Sequence, residues 1–363
     1  MTPDRLRDAL DAGIPGCLWI IRFDAQGYAS PGRFEDFDSL GKPREGFVWL
    51  HMDLTDVRTR PLIGRIEALS DSAREALRDP VDHQYLEYSE GLVSGALLDH
   101  ERTLSGTVAH TNYVRFAIGD SFLVTARRSP MSCVEATRNA LGRGVAAASP
   151  FALFEIMANA LVDDMVRMTQ EIGAAFDHAE DLIIDSRGRA ARPFLGRARR
   201  DAVRLSRQVG GLVSTLARLE AIEDDPDEAT DNALRETASR LVQHTESLAR
   251  EMTSIQERAR LLQDELNAIL NLETNDRLFA LTVVTILLLP ATFVTGYFGM
   301  NTDNLLFTGN GNGTLYATIM CFAASALALV LMRWLGLTNP NEGEDASRPH
   351  DAVRHSRPAD HNL

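Results

Sequence analysis

Residues 278–302 read LFALTVVTILLLPATFVTGYFGMNT, 25 positions with no charged side chain, bounded by Arg277 and Asp303. About 20 apolar residues cross a bilayer, so this segment is long enough with some tilt. A second apolar run, residues 315–332, follows closely and ends at Arg333 and Trp334. A cation beside a tryptophan suits a membrane interface. Two such runs so close together predict a membrane hairpin rather than two buried core helices. Between them lies DNLLFTGNGNGT, with one acid and no Lys or Arg. Positive charge sits on the other sides, at Arg277 and Arg333, so both termini are expected in the cytoplasm.

The rest of the chain is polar enough to hide this. Over 363 residues the net charge is -14 and the mean hydropathy is -0.13. The acidic balance argues against nucleic acid as a partner. Cys17, Cys133 and Cys321 are widely spaced, with no CxxC pair and no disulfide framework, as in a reducing compartment. The opening MTPDRLRDALDAG has no apolar core and does not read as a cleaved signal peptide.

Ahead of the hairpin, the first 131 residues read as mixed α/β. Strand-like runs occupy 16–23, 47–54, 91–99, 112–119 and 121–127, and Gly119–Asp120 is a hairpin signal. Helical spacing fills 56–77, so one sheet flanked by helices is expected. From 132 the pattern turns helical through 277. One long helix is expected over 151–184 and another over 192–223. The second begins with a basic stretch that includes Arg197, Arg199, Arg200 and Arg204, read as a solvated or salt-bridged face. After Pro226 nothing but Pro290 interrupts helical pattern until the Gly-Met-Asn tripeptide. Residues 230–301 would extend about 108 Å as one helix at 1.5 Å rise. The organisation expected is therefore an α/β domain (1–131), a helical and stalk region (132–277) and a first span (278–302). An outer loop (303–314), a second span (315–334) and a disordered cytoplasmic tail (335–363) complete it.

One membrane helix cannot enclose a pore, so several chains must contribute. In a parallel bundle the face toward the axis repeats about every 3.5 residues. Counting back from Asn301 gives Gly296, Thr292, Leu289, Thr285, Leu281, Leu278, Asn275, Asn271, Ala268 and Asp264. Small polar residues alternate with leucine bands, and the leucines suit a constriction that gates by wetting. Arg277, whose charge would repel cations, falls off the row. A coiled-coil seam with register-setting asparagines explains the lower part equally well, and membrane threonines can bond their own backbone.

The segment LPATFVTGYFGMN, followed by a short loop and a last span, resembles the CorA family of divalent-cation transporters. The likeness in architecture runs nearly the whole chain. It implies a homopentamer in a bacterial inner membrane, with a cytoplasmic α/β funnel, a long stalk and Gly299, Met300 and Asn301 at the outer pore mouth. It places Gly296, Thr292, Leu289, Leu281 and Leu278 in the pore and gives Asp264 a metal-contacting stalk position. WLHMDL (residues 49–54) and the stalk LQDELNAIL are similar to the ZntB-like zinc branch. The outer loop carries Asp303 but no glutamate, and the terminal basic cluster is reduced to Arg333, unlike the magnesium channels. Zinc is the cargo this implies, with Mg2+ or Co2+ the alternative. The row itself, without Cys or His, suits a cation that keeps its waters. Proton coupling and direction of transport stay open, and no cofactor is expected.

His51 and Asp53, two apart on a strand, share a face and are a candidate metal pair or a structural one. His350, His355 and His361 lie in the tail, and Glu223, Asp224, Asp225, Asp227 and Glu228 form an acidic turn. A membrane-tethered sensor is the alternative of a different class, although twelve outer residues make no sensing domain. No P-loop, GxSxG or HExxH occurs, so an enzyme is not expected.

Overall fold

The structure, a computed structural model, describes residues 14–42, 45–81, 83–100, 111–185, 187–220, 229–300 and 312–335. The chain divides into two units, Met1–Asp264 and Glu265–Leu363.

The described residues of the first unit form seven strands: β1 (Cys17–Phe23), β2 (Ala29–Pro31), β3 (Val48–Asp53), β4 (Tyr85–Ser89), β5 (Leu92–His100), β6 (Thr111–Gly119) and β7 (Phe122–Arg127). They form one sheet in the order β2-β1-β3-β7-β6-β5-β4. Among the described strands only β3 and β7 pair in parallel. β3 and β7 sit at the centre and are apolar on both faces, as a doubly covered strand must be. On one face Val48, Leu50, Met52, Phe122 and Val124 join a core with Ile63 and Leu77 from short helices. These helices are α1 (Phe34–Asp38), α2 (Thr59–Gly64) and α3 (Asp71–Arg78). On the other face Phe116 meets Phe154 at 4.8 Å between ring centroids. Phe154 belongs to the long helix α5 (Pro150–Ile184), which follows α4 (Ser132–Gly142).

Local chemistry sets the boundaries. Ser149 caps α5 by accepting from the Ala152 N–H, and Pro150 supplies the preset first turn. Gly46 has φ +77°, and a Cβ there would lie 2.0 Å from the Phe23 carbonyl oxygen. Only glycine fits, because the entry to β3 crosses directly over the end of β1.

One expectation is corrected, and two features carry no signal in the sequence. Helix does not run through 56–77; it breaks into α2 and α3, because Ser70 turns its side chain back to the Ala73 N–H and starts a new helix. Both edge strands, β2 and β4, lack a sequence signal: one is three residues ending in Pro31, the other is YLEYS with a polar outer face. The turn joining β4 to β5 is Glu90-Gly91, both at positive φ, a type I′ geometry that glutamate seldom advertises.

Behind the sheet, α5 packs against α6 (Gly188–Glu220), whose buried positions Leu195, Ala198, Ala202, Leu205, Val209, Leu212 and Leu216 repeat by threes and fours. That is a coiled-coil seam. The first part of α7 (Ala229–Phe298) carries a like row at Ala238, Leu241, Thr245, Leu248 and Met252. It is tied to α5 by the two-pronged Arg240–Glu155 pair at 2.7 and 2.8 Å and by Arg258–Asp177 at 2.7 Å.

The second unit holds the end of α7 and α8 (Gly313–Trp334). Among the described residues these are the two helices long and apolar enough to cross a membrane. α7 stops at Phe298, four residues short of the expected end of the first span, and the chain leaves it through Gly299.

One titrating group gives the first unit a pH signature. Asp99 is buried at the start of α4, where its carboxylate accepts from the N–H groups of His100 and Cys133 at 2.7 and 2.9 Å. Burial outweighs those bonds and pushes it up to about 6. A carboxyl raised in the folded state favours folding while protonated, so its contribution is lost as pH rises from about 4 to 6. A rise of that size is worth about 3 kcal/mol. The buried His51 and His100, both held below their ordinary range, act oppositely and weaken the fold as pH falls below the histidine range. The difference in melting temperature between wild type and Asp99→Asn is therefore the informative quantity. It should change from pH 4 to 6 and stay flat above; a difference constant with pH would refute the assignment.

Candidate functional site

The helix α7 presents three faces in the second unit. Toward α8 lie Val283, Ile286, Pro290, Val294 and Tyr297, partly or fully buried. At 100° per residue these fall on one line of the helix. Two contacts fasten that line. Ser325 of α8 donates its hydroxyl to the Leu287 carbonyl at 2.9 Å, and the Cys321 thiol approaches the Ala291 carbonyl at 3.7 Å. They sit on either side of Pro290, which removes one backbone donor from α7 and leaves the Ile286 carbonyl without its usual partner. A neighbouring side chain that serves the backbone beside a membrane proline is how such a break is tolerated.

The row expected to line a pore lies elsewhere. Leu278, Leu281, Thr285, Leu289, Thr292 and Gly296 are all exposed within the protomer, Leu281 and Leu289 at 64%. By the same helical count they centre about 140° from the line that meets α8. None of the described residues of the second unit covers them. Exposed apolar residues also occur between the two faces, at Val284, Leu288 and Phe293. The row carries Thr285 and Thr292; Thr282 and Thr295, off the row, are exposed and bond their own backbone as well.

Thr285 donates its hydroxyl proton to the Leu281 carbonyl at 2.8 Å, and Thr292 to Leu288 at 2.9 Å. Each oxygen is then left with lone pairs and no proton to offer. An exposed threonine in this state is an acceptor, suited to the hydrogens of a cation's water shell. The back-bonding expected as the alternative to a pore role is thus present, and it polarises the row toward accepting.

Gly296 has no atom within 4 Å of a would-be Cβ, so the protomer supplies no steric reason for glycine there. Inside a helix glycine costs about 1 kcal/mol relative to alanine. At Gly299 a Cβ would come 3.0 Å from the Thr295 carbonyl, where the helix closes with the Gly299 N–H on that same oxygen at 2.9 Å. Met300 is half exposed, at 48%. Asn301 and the loop through 311 lie outside the described residues, as do the histidines of the tail and the acidic turn at 223–228. In the lower part of α7, Asp264, Ala268, Asn271 and Asn275 are exposed.

His51 and Asp53 do share a strand, but they face different partners. His51 is fully buried, with Nδ1 2.7 Å from the Thr125 hydroxyl and its ring stacked on Trp19 at 4.3 Å. Trp49 donates its Nε1–H to the same threonine at 2.8 Å. Burial, then the charges of Arg127 and Arg138, hold the imidazole well below its ordinary range, so it stays neutral. Asp53 instead accepts from the backbone and hydroxyl of Thr55 at 2.8 and 2.6 Å, closing the turn after β3. No group of three His, Cys, Asp or Glu placed to hold a metal occurs among the described residues. The pair is structural as it stands. Sequence could not reveal Thr125, which the parallel pairing of β3 with β7 brings opposite His51.

The cysteines of the first unit fit the same picture. Burial pushes Cys17 up to about 12 and Cys133 well above the ordinary thiol range. Neither offers a thiolate at neutral pH.

Comparison with known proteins finds relatives over most of the chain. A family model described as CorA-like Mg2+ transporter protein matches residues 44–336. The zinc transport protein ZntB of Pectobacterium atrosepticum is 23% identical over 292 residues, covering 79% of this chain and 85% of that protein. Among solved structures, full-length CmaX superposes with a TM-score of 0.73 at 17% identity, over 89% of this chain and 98% of that one. The CorA magnesium transporter of Methanocaldococcus jannaschii gives 0.70 at 14% identity, over 87% and 97%.

Proposed function

Since the chain belongs to the family of CorA-like Mg2+ transporter proteins, and is thus a membrane transporter of divalent cations and no enzyme, we propose that five copies assemble with α7 of each around a central pore. The observation that carries this reading is the exposed row on α7, acceptor oxygens alternating with leucines on a face that α8 leaves bare. A single protomer leaves those leucines without a partner, and a ring of α7 helices gives them one. Gly296, costly and sterically unneeded in the protomer, then permits close approach between neighbouring helices. Gly299, Met300 and Asn301 form the outer mouth, with both termini in the cytoplasm. Asn275, Asn271 and Asp264 continue the path into the stalk, where they contact the ion's water shell.

Zn2+ is the proposed cargo. Support comes from the relatives named as zinc transport proteins and from the zinc-branch likeness of residues 49–54. The row has no Cys or His to bind bare Zn2+, so the ion travels with most of its water. Mg2+ is the second reading, favoured by the family description itself and by an all-oxygen row.

Two measurements test this. Mass photometry in detergent should give a particle near five times the 40.0 kDa chain, in addition to the micelle. Transport-competent protein that is monomeric or dimeric would sink the shared pore. Reconstituted into liposomes, the protein should carry Zn2+ faster than Mg2+; the reverse order moves the cargo to Mg2+, and a rate that follows an imposed pH gradient adds proton coupling.

A further inference from the structure

The transport reading makes no use of a cleft in the first unit. It encloses about 540 Å3, within the range of small-molecule sites. Its walls are α5 and α6. Its inner end is closed by His100, the last residue of β5, and Thr111, the first of β6.

The lining is ordered by chemistry. At the inner end His100 is 3% exposed and its Nδ1 has no hydrogen-bond partner among the described residues. The Gln208 amide and Thr111 hydroxyl lie at the same end. A buried nitrogen left unpaired is destabilising, so this end calls for a ligand group able to hydrogen-bond. The middle is apolar, with Met168, Ile172 and Ala175 from α5 and Ala198 and Leu205 from α6. The rim carries Arg197, Asp201 and Arg204, at i, i+4 and i+7 on α6, and Glu171 on α5. Neither arginine makes an ion pair with the described residues, whereas Arg240 and Arg258 on α7 are both paired with carboxylates.

A polar end, an apolar slot and a rim with both free guanidinium and free carboxylate exclude most simple ligands. An alkyl chain would set its methyl end against the unpaired His100 nitrogen. Inorganic phosphate would leave the slot empty. A metal ion would meet two guanidinium groups. We propose that the cleft binds a nucleoside phosphate. The base enters the slot with its edge on His100 and Gln208. The ribose hydroxyls donate to Asp201 or Glu171, as ribose does to acidic residues in dinucleotide sites. The phosphate is held by Arg197 and Arg204. Along α6, Arg204 and Arg197 lie about 6 and 16 Å from Gln208 by helical rise, so a phosphate between those levels is within reach of both long side chains.

Isothermal titration of the full-length protein in detergent with AMP, adenosine and inorganic phosphate tests this. AMP should bind one per chain, with adenosine and phosphate each weaker by about tenfold or more, the scale of a charge-assisted bond. Arg204→Gln should weaken AMP by a similar factor and leave adenosine unchanged. Ala175→Phe, which fills the slot, should abolish AMP binding, while Arg250→Gln, away from the cleft, should change nothing. Absence of AMP binding at millimolar concentration overturns the proposal. So does adenosine binding as well as AMP, which leaves the arginines no part, or phosphate binding as well as AMP, which reduces the cleft to an anion site. Should a variant fail to fold, the three wild-type titrations decide alone. None of these readouts involves cation flux, so they stand or fall apart from the pore.

Discussion

Asn301→Leu is expected to reduce cation flux by about a hundredfold or more while leaving the proposed pentamer intact. Leucine keeps similar bulk but removes every acceptor from the ring proposed at the pore mouth. Two lost hydrogen bonds to an ion's polarised water, at roughly 1.5 kcal/mol each, already account for that factor. Asn301→Asp keeps the oxygens and adds up to one charge per subunit. Like charges crowded in one ring raise one another's pKa, so the ring should stay partly protonated. Cation binding is then retained, release slows and flux acquires a new pH dependence. A purely structural role makes a different prediction. An asparagine that merely ends a helix is replaced well by glycine, so Asn301→Gly would then transport normally. Flux through the Leu, Asp and Gly variants, with pentamer content checked in each, separates the two accounts. Wild-type flux in the Gly variant would reduce Asn301 to a cap.

Leu281→Asn is expected to act in the opposite direction. Leu278, Leu281 and Leu289 are bare in the protomer, and a ring of leucines excludes water from a narrow pore. An amide at the middle level should let water persist there. A drop of about 1.4 kcal/mol in the barrier raises basal flux on the order of tenfold. Leu281→Val, still apolar, should leave it nearly unchanged. Equal flux through Leu281→Asn and wild-type pentamers would show that this level is not a gate.

The central strands were legible because burial on both faces writes itself as unbroken apolar sequence, as in FVWLHM, where Phe47 precedes β3. The hairpin at residues 119–122 was legible through its glycine and aspartate, and β6 and β7 pair across it as expected. The membrane segments were legible from length and lack of charge alone, and the described α8, Gly313–Trp334, extends the expected span by two residues at its start. Edge strands β2 and β4 were not, since half of each faces water and a short polar strand has no period to detect. The environment of His51 was hidden for another reason. Its partner Thr125 lies 74 residues away, and only a parallel pairing puts the two side by side. The cleft was hidden likewise: its basic residues read as a solvated run, and nothing in their spacing tells that two of them border an apolar slot.

The bond from Ser325 to the Leu287 carbonyl bears on how such a pore can move. A helix weakened at a proline is an articulated strut, and the natural place for it to flex is the turn around Pro290. Here the second span grips that turn by its backbone rather than by side-chain packing alone. If α7 flexes there in the pore proposed above, the bond from Ser325 carries α8 with it, and the two arms of each hairpin are expected to travel as one lever. Breaking the grip with Ser325→Ala would uncouple the arms of that lever, leaving the pore's lining in place but its opening no longer concerted from the periphery inward.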